Sequence, residues 1–156
     1  MNILAIDPGP VVSAYVVWDG RDILDMGISD NYELLALVGG DNAAEELVIE
    51  QICSYGMAVG ASVFETVFWS GRFAEAWRGG FHRMPRMDVK MHLCHNSRAK
   101  DKNISQALRD RFGEVGTKKA PGRLYGVKKD IWAALALAVS WFDKKAGSPV
   151  IKTKGG

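Results

Sequence analysis

Asp7, Glu50 and Asp130 each stand beside an apolar run, where a charge is costly unless it is used. Asp7 closes ILAID just before a Pro-Gly turn, Glu50 lies within LVIEQI, and Asp130 opens IWAALALAVSWF. Strand and helix ends are where an α/β sheet presents its site, so the three acids are expected to converge at one edge. Clustered carboxylates repel, and they hold protons more tightly unless a cation joins them. Hard oxygen ligands of this kind select Mg²⁺, with Mn²⁺ as a substitute. Two such ions can activate a water, orient a scissile phosphate and stabilise the leaving oxygen. Taken singly, Asp7 could merely brace its turn through an Asx hydrogen bond, and Asp130 could stabilise a helix N-terminus. Glu50 has no capping task inside its run.

The elements that must carry these acids follow from pattern. Residues 2–7 and 11–18 read as strands, with Asp19-Gly20 as a hairpin-type turn and residues 22–29 as a third strand. Residues 32–38 read as a short helix closed by Gly39-Gly40, and residues 46–52 as a fourth strand. Helical spacing runs over 62–78, a fifth strand is expected at 87–94, and a helix at 103–112. Residues 114–126, with Gly116, Pro121, Gly122 and Gly126, form a loop. Residues 130–142 are apolar almost all round, as a helix buried on more than one side would be. An antiparallel three-strand meander followed by alternating strands and helices gives an α/β fold with a mixed sheet flanked by helices. Residues 1–146 are expected to form one domain, and the polar stretch 147–156 a flexible tail.

Charge is divided along the chain. Residues 1–71 hold eleven acids and one basic residue, a net of −10, whereas residues 72–129 hold fifteen basic residues and five acids, a net of +10. That segregation points to an anionic partner for the second half, nucleic acid first. Lys128 and Lys129 directly precede Asp130 and can steady phosphate charge, and Lys118 and Lys119 lie in the Gly/Pro loop. Hydrophobic residues make up 47% of the 156 and charged residues 24%, which excludes disorder. No apolar run is long enough to span a bilayer, and the N-terminus lacks the pattern of a signal peptide. Cys53 and Cys94 give no disulfide framework and are expected to act as small buried hydrophobes in a reducing cytoplasm. Trp69, Phe73 and Trp77 recur at core-stripe spacing, while Tyr55 and Phe68 lie near the loop after Glu50, where an aromatic could stack on or wedge into a bound partner. His92, Cys94 and His95 invite a zinc reading, but no second ligand pair follows at structural-zinc spacing.

ILAIDPG, IEQ and KKDIWAALALA resemble the three acidic motifs of RuvC-like Holliday-junction resolvases of the ribonuclease H-like superfamily. YGMAVGASVFE, VKMHLCHNSRAKDKNISQALRDRFG and TKKAPGRLYGVKKDIWAALALAVSW resemble the phage branch more closely, and the similarity spans most of residues 2–142. The resemblance implies the ribonuclease H-like fold and metal ligation by Asp7, Glu50 and Asp130. It also implies DNA contacts around Lys100 and Lys102, and a homodimer cutting four-way junctions to leave 5′-phosphates. In a phage context the protein would work in the bacterial host cytoplasm. One position departs from the pattern: Ala133 stands where bacterial resolvases carry a fourth acid, with Glu65 as a conceivable substitute. Two functions therefore stay in view, a Mg²⁺-dependent structure-selective endonuclease and a non-catalytic binder of branched nucleic acid with a degenerate metal site. Two-domain ATPases that begin with a similar acidic turn are excluded by length.

Overall fold

The computed structural model describes residues 1–147, and the expected tail from 148 onward lies outside them. Its strands are β1 (Ile3–Asp7), β2 (Val12–Trp18), β3 (Ile23–Asp30), β4 (Glu46–Gln51) and β5 (Phe81–Pro85). The helices are α1 (Asn31–Gly39), α2 (Ala61–Ala76), α3 (Arg86–Cys94), α4 (Asp101–Phe112) and α5 (Ile131–Gly147). The strands form one mixed sheet in the order β3-β2-β1-β4-β5. β1, β2 and β3 pair antiparallel as the expected meander, while β4 runs parallel to β1 and β5 parallel to β4. No helix among the described residues is long and apolar enough to cross a membrane.

Side-chain alternation explains why β1 and β4 are apolar without a break. Ile3, Ala5 and Val48 face a core built with α3, α4 and α5, whereas Leu4, Ile6, Leu47 and Ile49 face a second core with α1 and α2. A strand covered on both faces cannot afford polar positions, so period two disappears from its sequence. Helix α5 fills the first core. Ala134 through Ser140 are all buried, and each fully buried Leu or Val there contributes about 1.5–3 kcal/mol. Trp69 and Phe73 are buried in the second core and Trp77 packs on its margin, as the spacing of four predicts.

One element departs from expectation. Residues 87–94 are helical, and the fifth strand is Phe81–Pro85. Met87, Val89, Met91 and Leu93 imitate strand alternation, yet Met87 and Met91 are exposed and only Val89 is fully buried. Pro85, with φ fixed at −65°, leads into the helix, and Asp88 lies in its first turn where a negative charge is favoured. Of the residues that invited a zinc reading, His92 pairs with Asp143 at 2.7 Å, and His95 is the left-handed residue closing α3. Cys53 and Cys94 are free, and both are half-buried rather than buried.

The turn after β1 is latched from below. Ser13 Oγ accepts from the Gly9 N–H at 3.0 Å and donates to Asn31 Oδ1 at 2.6 Å, and Asn31 Nδ2 donates to the Gly9 carbonyl at 2.9 Å. Gly9 is required here, because a Cβ would meet the Val12 carbonyl oxygen at 2.2 Å. Asn31→Ala leaves the buried Ser13 hydroxyl and the Gly9 carbonyl short of partners. It is expected to cost about 1–3 kcal/mol in urea unfolding, and a loss below that range would mean that the latch is dispensable.

Candidate active site

The strand arithmetic that fills the core also places the acids. Asp7 follows Ile3 and Ala5 in alternation, and Glu50 follows Val48, so both point to the face that α5 covers. Ile6 pairs with Ile49 across the parallel β1–β4 ladder, which sets Asp7 beside Glu50 at the carboxyl ends of two adjacent strands. Asp130 lies one residue before α5, and its carbonyl accepts from the Ala133 and Ala134 N–H groups of the first turn. Lys129 immediately before it holds a left-handed backbone, φ 49°, a conformation that costs a non-glycine residue about 1–2 kcal/mol.

Asp7 and Glu50 touch. With the protonated Asp7 carboxyl donating to Glu50, the Asp7 pKa is pushed up to about 9. Burial is the first cause, followed by the hydrogen bond to Glu50 and then the charges of Glu50 and Asp130; the Arg86 guanidinium works the other way. Asp130 is exposed at the rim of the same site. Glu50, Asp130, Arg86, Asp101, Lys102 and Lys129 surround the polar part of a cavity of about 180 Å³. Its apolar floor comes from Val89, Ile104, Ala136 and Leu137.

Of the expected phosphate-binding lysines, Lys102 and Lys129 line this cavity. Lys128 is exposed beside it without lining it. Lys100 precedes α4, with its N–H donating to Asn103 Oδ1, and Lys118 and Lys119 are exposed on the loop between α4 and α5. Ala133 lines the cavity, so the position of the absent fourth acid does open onto the site. Glu65 is exposed on α2; it neither lines the cavity nor acts on Asp7. Tyr55 and Phe68 are exposed.

Two participants escaped the sequence reading. Arg86 Nη1 lies 3.6 Å from Glu50 Oε1, and its Nη2 bonds to Asp101 Oδ1. Burial works against the Arg86 charge, but the pull of Glu50, Asp101 and Asp7 more than offsets it and raises its pKa. The usable signal was the strand itself. Met84 pairs with Glu50, so a strand ending at Pro85 delivers Arg86 to the edge where Glu50 stands.

A divalent ion fits the chemistry of these donors. Among the described residues no three Asp, Glu, His or Cys side chains form a ready-made cage. Asp7 and Glu50 already adjoin, however, and the raised Asp7 pKa marks a place where a proton is held for want of a stronger positive charge. Closing three carboxylates on an ion requires Asp130 to come in from the rim.

A mixed five-stranded sheet flanked by helices on both faces, in this strand order, is the ribonuclease H-like α/β fold that RuvC shares. Among solved structures the chain is similar to that of Thermus thermophilus RuvC, with a TM-score of 0.67 and 19% identity over 94% of this chain and 96% of that one. It is similar also to T. thermophilus RuvC in complex with Holliday junction substrate, with a TM-score of 0.65 and 16% identity over the same shares. No protein-family model and no curated protein sequence matches it.

The Asp7 shift has a definite sign. Its folded pKa of about 9 exceeds the unfolded carboxyl value, so the native state keeps a proton that the unfolded chain releases. The stabilisation from that proton is full at pH below about 4 and is lost as pH rises toward about 9. In metal-free buffer, Asp7→Asn is therefore expected to melt several degrees above the unsubstituted protein at alkaline pH, with the gap closing toward acid. Melting curves across that range check this; a gap that widens toward acid contradicts the assigned environment.

Proposed function

We propose that this protein is a divalent-metal-dependent endonuclease of the RuvC type, closest to the phage branch, that resolves four-way DNA junctions and related branched DNA. The observation that carries this reading is the pairing of Asp7 with Glu50 within electrostatic reach of Asp130, where Glu50 and Asp130 line one cavity together with Lys102 and Lys129. Kinship in fold with a protein solved on a Holliday junction supports it.

Asp7 and Glu50, joined by Asp130, would hold Mg²⁺ or Mn²⁺, which when bound supplies Lewis-acid activation of the phosphodiester and of the attacking water. Lys129 and Lys102 hold the backbone phosphate beside the acids, and Lys128, exposed beside the cavity, steadies its charge. Lys100, Lys118 and Lys119 extend the basic path along the incoming strands, each contributing a weak phosphate contact.

The expected homodimer has a surface to use. Phe64, Val67 and Phe68 are 65%, 48% and 62% exposed on one side of α2, three and four residues apart. Gly71 continues the stripe one turn on, with open space where a Cβ would be. An exposed apolar stripe of this kind marks an interface, and a two-fold junction is matched by a two-fold enzyme. Phe68→Asp should leave the melting temperature nearly unchanged yet shift the protein to monomer in sedimentation equilibrium; a dimer of undiminished strength places the interface elsewhere.

The second reading, a binder of branched nucleic acid without cleavage, is favoured by one observation: Ala133 brings no oxygen to the cavity. A labelled four-way junction with duplex controls, incubated with and without Mg²⁺ or Mn²⁺, separates the two. We expect Mg²⁺-dependent cutting of the junction, abolished in Asp7→Asn while junction binding is kept or improved, since one negative charge near phosphate is removed. Binding without cutting under every ion condition selects the second reading.

A further inference from the structure

We propose that Arg86 is a built-in cation of the acidic site, standing where a second divalent ion would otherwise sit, so that each protomer takes one metal ion. This rests on the reading of Asp7, Glu50 and Asp130 as metal ligands.

The guanidinium is held at both ends. Nη1 faces Glu50 Oε1 at 3.6 Å, and Nη2 bonds to Asp101 at the start of α4, where a helix N-terminus favours the carboxylate. Asp101 therefore fixes Arg86 from outside the acid trio, and Arg86 presents its charge to Glu50 without depending on it. A second ion would need that Glu50 oxygen together with a further oxygen ligand from α5. Position 133 offers a methyl group instead, and besides Glu50 and Asp130 the side-chain oxygens of the lining are those of Asp101, which Arg86 engages, and the neutral hydroxyl of Ser105 on α4.

A guanidinium is not interchangeable with a metal ion. It stays protonated at any working pH, so it does not activate water; it donates planar N–H groups to phosphate oxygens. During hydrolysis the bond from the water oxygen to phosphorus forms as the bond from phosphorus to the 3′ oxygen breaks. One water proton ends on that 3′ oxygen, and the 5′-phosphate keeps the new oxygen. The second water proton leaves with the phosphate or to solvent. Arg86 serves this step by stabilising charge on the phosphate, and a bound ion held by Asp7, Glu50 and Asp130 would supply Lewis-acid activation of the water.

The test counts ions on the full chain by Mn²⁺ electron paramagnetic resonance and calorimetry, with and without a four-way junction. The expected count is one per protomer. Arg86→Met should bind Mn²⁺ about tenfold or more tightly, because a competing positive charge is gone, while cleavage falls by about 100-fold or more with little change in junction affinity. Arg86→Lys should keep the count of one and recover part of the rate. Two ions in the unsubstituted protein, or Mn²⁺ affinity unchanged in Arg86→Met, would overturn the assignment, and the first of these needs no variant to fold. If the protein binds one ion but cuts no branched DNA, the nuclease reading fails and the place of Arg86 stands. If it binds two and cuts, the reverse holds, and no bound ion at all defeats both.

Discussion

Two carboxylates in contact at the end of a covered sheet repel each other strongly, and much of this structure answers that repulsion. Asp7 and Glu50 adjoin because β1 and β4 run parallel in a register that leaves no other place for them. Their charge is met from three directions: by the proton that Asp7 retains, by Arg86 from the end of β5, and by the lysines at the cavity mouth. Removing the acids would relieve the fold, since a buried like-charge pair stabilises nothing by itself. Such a cost is borne where the charge has work to do.

Holding the pair in contact demands rigidity around it. The Ser13–Asn31 latch fixes the Pro8-Gly9 turn to the start of α1, and α5 seals one face with side chains that leave almost no exposed area. The left-handed Lys129 ends the loop sharply enough for Asp130 to stand at the mouth while Ile131 is already buried. Local strain is tolerated there because the helix behind it is so thoroughly packed.

What could be read from the sequence divides along physical lines. Buried strands and the buried helix were legible because apolar runs bounded by Asp-Pro-Gly, Asp-Gly and Gly-Gly leave few alternatives, and the acids stand out against them. The fold class followed from the same runs. Residues 81–94 were not legible: FHRMP is short and half polar, and the methionines after it alternate like a strand while lying on a helix surface. With β5 misplaced, Arg86 had no address. Its contacts with Glu50 and Asp101 span 36 and 15 positions, which no local pattern reports. The lysines divided for another reason, because sequence names the exposed cations without saying which way they face; Lys129 lines the cavity and Lys128 does not.

Both free edges of the sheet are blunt. β3, with Asp25, Gly27 and Asp30 along it, is largely open to solvent, and β5 is five residues long and ends in proline. Unpaired backbone at an edge invites another strand, and charge, shortness and proline are the usual defences. Strand-to-strand pairing is thereby disfavoured at β5 by shortness and proline and at β3 by its acids, although Leu24 and Ile28 leave apolar surface on that edge.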